Sequence, residues 1–171
     1  IELVNSYRKE FGARWISLMP TNLYGERDNF NLDTAHVMPA LIRRFVEAVE
    51  TGTREVTLWG SGFPRREFLH VEDLARAILL TSSNYDSTMH LNIGTGKDLT
   101  IKELALMIAK LAGFEGQIIW DTSRPNGTPQ KVLDVSKIKA LGWEPTITLE
   151  AGIASTIAWY KEASARGEVR K

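Results

Sequence analysis

The segment from Met19 to Phe45 constrains the fold most, because it places a polar loop between two apolar elements. An apolar run over Trp15–Met19 ends at Pro20, a polar loop follows, and a helical pattern begins near His36. In α/β proteins, ligand sites commonly form where a strand ends in a polar loop that leads into a helix. The sequence therefore predicts a binding site along this segment.

Strand and helix patterns alternate along the chain with short connections, which predicts the α/β class. Predicted helices cover 1–11, a stretch from a cap at Asp33 or Thr34 to Gly52, the region from 71, 100–111, 136–141 and 148–160. The helix from 71 carries an apolar set, namely Val71, Leu74, Ala75, Ile78 and Leu79. Predicted strands cover 14–19, 55–59, 67–70, 89–93 and 117–120, and the tail 161–171 is expected to fray.

Charge and composition exclude several classes of protein. The 171 residues hold 21 Lys plus Arg and 21 Asp plus Glu, so there is no basic surplus for nucleic-acid binding. The absence of cysteine excludes disulfides and thiolate chemistry within the chain, and three scattered histidines do not suggest a zinc site. No apolar run approaches the ~20 residues of a membrane span. We therefore expect a cytoplasmic protein with no membrane segment and no bound metal.

Two glycine-rich turns are candidate phosphate loops. Gly94-Thr95-Gly96 follows a predicted strand, but it lacks the third glycine of a dinucleotide fingerprint and the lysine of a phosphate-binding loop. Gly60-Ser61-Gly62 is no more specific. Tight turns are the favoured interpretation of both, and the chain contains no recognisable cofactor loop.

Cationic and titratable side chains provide candidate ligands, each with a structural alternative. Arginine forks suit phosphate and a tryptophan face suits a base, although a solvated surface explains the same residues. His36 could aim its ring at a ligand or serve as a local cap. The candidate cations are Arg43, Arg44, Arg65, Arg66, Arg124 and Lys131. The candidate acids or bases are Asp28, Glu67 and Asp73, for which capping or ion-pair roles are the favoured interpretation because none lies in an obvious carboxylate pair.

Several motifs, taken in order, resemble the GDP-L-fucose synthase family within the extended short-chain dehydrogenase/reductase superfamily. They are MPTNLYG (19–25), DNF (28–30), HVMPALIRRF (36–45), WGSGFPRREFLHVEDLA (59–75), NIGTG (92–96), TIKELA (100–105), RPNGTPQKVLDVSK (124–137) and LGW (141–143). PTNLYG and REFLHV types occur in many sugar-nucleotide epimerases. The combination of DNF, HVMPALIRRF and GTPQKVLDV is specific to this family.

The resemblance implies the C-terminal part of an NAD(P)-binding Rossmann-type epimerase/reductase together with its α/β substrate-binding domain. Residues 1–25 would be a remnant of the Rossmann domain. Residues 26–171 would form mainly the substrate-binding domain, with short returns to the Rossmann sheet. The glycine-rich loop and the catalytic Tyr-x-x-x-Lys of the family are absent, so a fragment that is inactive alone is expected.

The family reaction is NADPH-dependent epimerisation at C3 and C5 of GDP-4-keto-6-deoxy-D-mannose followed by reduction at C4, which yields GDP-L-fucose. The resemblance assigns His36 as a proton donor in epimerisation and as a cofactor contact. It assigns Pro20, Thr21, Asn22 and Leu23 to NADP, and Arg44, Trp59, Arg66, Asn126 and Lys131 to the GDP-sugar. The family often has aspartate at position 126, where Asn126 keeps the carbonyl acceptor without the charge.

The resemblance further implies a homodimer in the full-length protein, with the helix at 1–11 near the contact. Two alternatives stay open at this stage. One is a different sugar-nucleotide epimerase or reductase of the same superfamily, and the other is a non-catalytic sugar-nucleotide-binding module. Apolar surface left bare by absent strands is expected to cause self-association.

Overall fold

A computed structural model of the protein describes residues 1–170, in which helices and short strands alternate, and the predicted α/β class is confirmed. The helices are α1 (Glu2–Phe11), α2 (Val37–Glu50), α3 (Val71–Asn84), α4 (Ile101–Ala112), α5 (Ser136–Ala140) and α6 (Leu149–Ala165). The strands are β1 (Leu18–Pro20), β2 (Asn22–Tyr24), β3 (Glu55–Trp59), β4 (Arg65–His70), β5 (Leu91–Ile93), β6 (Asp98–Thr100), β7 (Gln117–Asp121) and β8 (Gln130–Lys131).

The strands form three small sheets. β1 pairs with β5 and β3 pairs with β7, both in parallel. The third sheet is built on β4, which pairs in parallel with β2 and β8 and antiparallel with β6. Because β4 touches three other strands, it is the element around which the polar loops collect.

The larger hydrophobic core lies between α2, α4 and α6. Phe45 packs against Phe114 with ring centroids 5.3 Å apart, and Phe30 packs against Tyr160 at 4.7 Å. The helix predicted over 100–111 is present as α4, and a capping box formed by Thr100 and Glu103 satisfies backbone N–H groups of its first turn. The core therefore orients α2 and β4, the two elements that carry most of the predicted site.

A smaller core joins β4, β5, α3 and α5 through Leu69, Ala77, Leu91, Ile93 and Ile138. Leu18 and Leu23, which precede the boundary expected near residue 25, also pack against this core. That domain boundary stays a prediction.

Of the apolar set on α3, only Leu74 packs against this core, and the other members of the set are exposed. Ile78 is 46% exposed and Leu79 71% exposed, whereas Asp73, Ala77 and Thr81 are buried. Hydrogen bonds to a buried carboxylate explain this orientation of α3. The fully buried Asp73 carboxylate accepts from the N–H groups of Thr146 at 2.9 Å and Ile147 at 3.1 Å. A buried carboxylate needs such partners, and they set the rotation of the helix.

The predicted strand over 14–19 is shorter and displaced, because the chain changes sheets at Thr21. β1 ends at Pro20 beside β5, the Thr21 N–H donates to the Ile93 carbonyl at 3.0 Å, and β2 then starts beside β4. β2 was not predicted, since three residues are too few to show an alternating pattern.

Two helix boundaries also differ from expectation. α2 begins at Val37, because the Asn31 carboxamide accepts from the N–H groups of Asp33 and Thr34 and makes a local turn there instead of a helix cap. α6 continues to Ala165, so the tail does not fray from residue 161. Beyond it, the Arg170 carbonyl accepts from the Phe30 N–H at 3.0 Å.

Replacement of Gly152 tests the packing of α6 on β2. Gly-to-Ala in a helix interior usually stabilises by about 1 kcal/mol, but here the new methyl would overlap the Tyr24 hydroxyl. We expect Gly152→Ala to lower the free energy of unfolding by about 1–3 kcal/mol in urea denaturation. Tyr24→Phe should restore part of the loss, and Ser155→Ala on the same helix is the neutral control. A Gly152→Ala protein more stable than the parent would contradict this packing.

Candidate functional site

Two cavities meet at one wall, and nearly all the predicted site residues line them. The larger, of about 950 Å³, is bounded by residues 20–28, His36, Val71 and residues 130–133. The smaller, of about 320 Å³, is lined by residues that include Trp59, Arg66, Phe68, Ile101 and Asn126. Asn22, Leu23 and His36 line both cavities, so they form the shared wall.

His36 occupies the N-cap position of α2, but its ring does not cap the helix. No side-chain capping bond is present, and the residue is exposed where both cavities border it. The turn at 31–34 supplies its own hydrogen bonds and leaves the ring available. His36 can therefore present a ring nitrogen to a ligand in either cavity.

The segment Pro20–Leu23 is held by the main chain of β4. The Glu67 carbonyl accepts from Asn22 Nδ2 at 2.8 Å and from Thr21 Oγ1 at 3.3 Å. These bonds fix the orientation of the two polar side chains and of the backbone that faces the larger cavity. A ligand there would meet a preformed edge.

Arg66 and Lys131 lie side by side because they are register partners on the parallel strands β4 and β8. Residues paired in this way project from the same face of a sheet. Arg66 donates to the Arg65 carbonyl at 2.7 Å. Within residues 1–170, no carboxylate lies within ion-pair distance of Arg66 or Lys131, so both charges are available to an anion.

Trp59 is 65% exposed beside the smaller cavity, and the guanidinium of Arg124 lies 5.1 Å from its ring centroid. Asn126 holds the neighbouring loops together. Its Oδ1 accepts from the Ser61 N–H at 2.8 Å and from the Ser61 hydroxyl at 3.0 Å. The structure thus gives Asn126 a role between loops that the sequence did not indicate.

Arg44 is not brought to either cavity. It is half-buried on α2 and is not among the residues that line the two spaces. Its role, like the roles of the other site residues, stays a prediction.

The turn Gly94-Thr95-Gly96 binds an internal anion. Glu67 is fully buried, and its Oε1 accepts from the N–H groups of Thr95 at 2.5 Å and Gly96 at 2.8 Å. A carboxylate inside the protein therefore takes the place that a phosphate would have in a nucleotide loop. The sequence placed Glu67 among possible acids or capping groups, and only the fold shows which backbone it binds.

Asp28 lies on the wall of the larger cavity with His36. Burial raises the pKa of the Asp28 carboxyl. This effect outweighs a hydrogen bond from the Asn29 N–H, at 2.7 Å, and the nearby charge of His36, which both lower the pKa.

Among the side chains of residues 1–170, no group of three His, Asp or Glu is arranged to hold a metal ion. Likewise, no helix in that range is long and apolar enough to cross a bilayer.

Substitution of Asn126 tests its link to Ser61. Asn126→Ala removes the acceptor for two hydrogen bonds, so we expect a loss of about 1 kcal/mol in unfolding free energy and faster proteolysis of the loop at 122–129. Asn126→Asp keeps an acceptor oxygen and is the matched control, expected to behave like the parent. Equal protease sensitivity of the Ala and Asp variants would contradict the link.

The raised pKa of Asp28 predicts a pH-dependent effect on stability. Because the folded state binds this proton more tightly than the unfolded state, its stabilising contribution is present at acid pH and is lost as the pH rises through the folded pKa. Asp28→Asn should therefore increase stability at pH 7 relative to the parent, with the advantage shrinking toward about pH 4. Urea denaturation at both pH values measures it, and an advantage that grew toward acid pH would contradict the assignment.

The comparisons with known proteins agree with the motifs. The chain is 48% identical to a probable GDP-L-fucose synthase 1 from Oryza sativa subsp. japonica over 95% of its own length and 49% of that protein. It is 47% identical to a GDP-L-fucose synthase from Escherichia coli (strain K12), over 95% of the chain and 53% of the relative. The chain thus spans about half the length of the curated relatives it matches.

A solved structure of a GDP-L-fucose synthetase from Naegleria fowleri bound to NADP matches with a TM-score of 0.89 and 31% identity. The match covers 99% of this chain and 54% of that one. The resemblance drawn from the motifs and the expected Rossmann-type fold class are confirmed. A model of the NAD dependent epimerase/dehydratase family matches residues 1–94, more than half of the chain, and the chain belongs to that family.

Proposed function

We propose that this chain supplies the GDP-sugar-binding half of an enzyme that epimerises GDP-4-keto-6-deoxy-D-mannose at C3 and C5 and reduces it at C4 with NADPH. The observation that carries the proposal is the adjacent cations Arg66 and Lys131, which have no carboxylate partner within residues 1–170. Arg66 lines the smaller cavity together with the exposed Trp59, and Lys131 lines the larger cavity. The names of the relatives at 47–48% identity support the same substrate. The resulting product is GDP-L-fucose.

The cation pair suits a diphosphate. Two neighbouring positive side chains without internal carboxylate partners offset two phosphate charges at little rearrangement, and the guanidinium can bind two oxygens at once. The whole chain has no net charge, so attraction for an anion depends on such a local cluster. Trp59 offers a flat face for the base. The guanidinium of Arg124 lies over the same ring, in a cation–π contact.

The larger cavity suits the nicotinamide end of NADP. Thr21 and Asn22 are oriented by the Glu67 carbonyl, and Pro20–Leu23 present a fixed backbone edge to the space. When bound, the cofactor supplies the hydride for reduction of the C4 ketone. The chain holds no Tyr-x-x-x-Lys pair, so the residues that act on that ketone are not among these.

His36 lies where the two cavities meet, and this supports its assignment as the proton donor in epimerisation. The 4-ketone acidifies the C–H groups at C3 and C5, and inversion needs a group that returns a proton from the opposite face. A ring nitrogen free of capping bonds can do this if substrate and cofactor occupy adjacent spaces.

The proposal extends to the whole protein as a homodimer in the cytoplasm. α1 has no buried residue, and Tyr7 stacks on Trp15 with centroids 4.8 Å apart on the exposed side of that helix. An apolar helix surface of this kind supports contact with a second chain or with another part of the protein. The division into a Rossmann remnant at 1–25 and a mainly substrate-binding region at 26–171 is proposed with it.

Calorimetric titration of the purified chain with GDP tests the proposal. We expect binding, with a loss of about tenfold or more in affinity for Arg66→Ala and for Lys131→Ala, because each removes a charge-assisted contact to phosphate. Arg54→Ala, an exposed arginine outside both cavities, is the matched control and should bind like the parent.

The same titration with UDP and dTDP separates this substrate class from other sugar-nucleotide enzymes of the superfamily. Weaker binding of both pyrimidine nucleotides is expected. Absence of GDP binding, or GDP binding that is indifferent to both Arg66→Ala and Lys131→Ala, would overturn the proposal.

A further inference from the structure

Glu67 is hydrogen-bonded to three separate segments that lie at the site. Its carboxylate is fully buried and accepts from the N–H groups of Thr95, Gly96 and Leu133, the last at 2.8 Å. Within residues 1–170 no cation forms an ion pair with it. The carboxylate is therefore held by three backbone N–H groups together with the Thr95 hydroxyl, at 3.3 Å, and such charge-assisted bonds are strong and directional.

The bond to Leu133 bears on Lys131. The segment 129–133 runs along β4, and it is fastened first by the bond from the Arg65 N–H to the Pro129 carbonyl at 2.7 Å. The β8 ladder then pairs Lys131 with Arg66 and ends there. Two residues after the end of β8, the Leu133 N–H donates to the Glu67 carboxylate. The backbone is therefore held two residues before and two residues after Lys131.

We propose that Glu67 is a positioning residue that sets Lys131 beside Arg66 and so shapes the diphosphate site. The inference rests on the proposed function for the nature of the anion, whereas the positioning rests on the bonds to β4 and the 129–133 segment. Glu67 acts through Lys131 and does not touch the ligand, since its carboxylate is buried under the turn at 94–96.

Two variants disturb the carboxylate in different ways. Glu67→Gln keeps the shape of the side chain but replaces one acceptor oxygen with an NH2 group. The single remaining oxygen cannot accept from both the turn at 94–96 and the Leu133 N–H. Gly94→Ala keeps the charge, and its methyl would overlap Glu67 Oε1 and lie 3.0 Å from Cδ. Gly94 has no left-handed φ, so alanine strains the carboxylate contact and not the backbone.

A double-mutant cycle on GDP affinity tests the proposal by calorimetry with the full chain. We expect Glu67→Gln and Gly94→Ala each to weaken GDP binding by about tenfold in the parent. In a Lys131→Ala background we expect neither change to weaken binding further, because the positioned group is already gone. Glu103→Gln makes the same chemical change at the α4 cap and should leave GDP affinity unchanged.

The outcomes separate the two proposals. Equal losses in the parent and Lys131→Ala backgrounds, or unchanged affinity in a folded Glu67→Gln protein, would overturn the positioning role. Loss of folding in both Glu67→Gln and Gly94→Ala, seen by circular dichroism, would also overturn it and leave Glu67 a purely structural group. If both Lys131→Ala and Arg66→Ala bind GDP as the parent does, that result overturns the proposed function itself, whatever the Glu67 variants show.

Discussion

The buried carboxylate of Glu67 is the interaction on which the rest of the site depends. A charge inside a protein is costly unless hydrogen bonds hold it, and here three backbone N–H groups from two separate loops supply them. Its own carbonyl holds Thr21 and Asn22. One residue of β4 therefore ties together the turn after β5, the segment after β8 and the crossing between β1 and β2.

The location of the site follows from that junction. The chain leaves one sheet at Pro20 and enters another at Asn22, so the polar residues between and after these strands face open space instead of a core. Two cavities form on either side of this crossing, and His36 borders both because α2 starts there. Residues that line the two cavities can thus lie close together without sharing a strand.

Local chemistry made several features predictable. The helix that starts after Thr100, the strand over Glu55–Trp59 and the end of the first helix at Phe11 all depend on neighbours in the sequence, and all are present. The short strand β2 and the rotation of α3 were not predicted. β2 exists because β4 offers it a partner, and α3 turns Asp73 inward because distant N–H groups at Thr146 and Ile147 receive it.

The sequence by itself determined the α/β class, most helices, the family and the residue types around the site, because these follow from periodicity, capping and motif order. Only the tertiary structure decided that Arg66 lies beside Lys131, that Asn126 binds Ser61 and that the glycine-rich turn at 94–96 surrounds Glu67. These pairings join residues far apart in the chain. Their free energy arises from hydrogen bonds and charges that come together only when β4 acquires its neighbours.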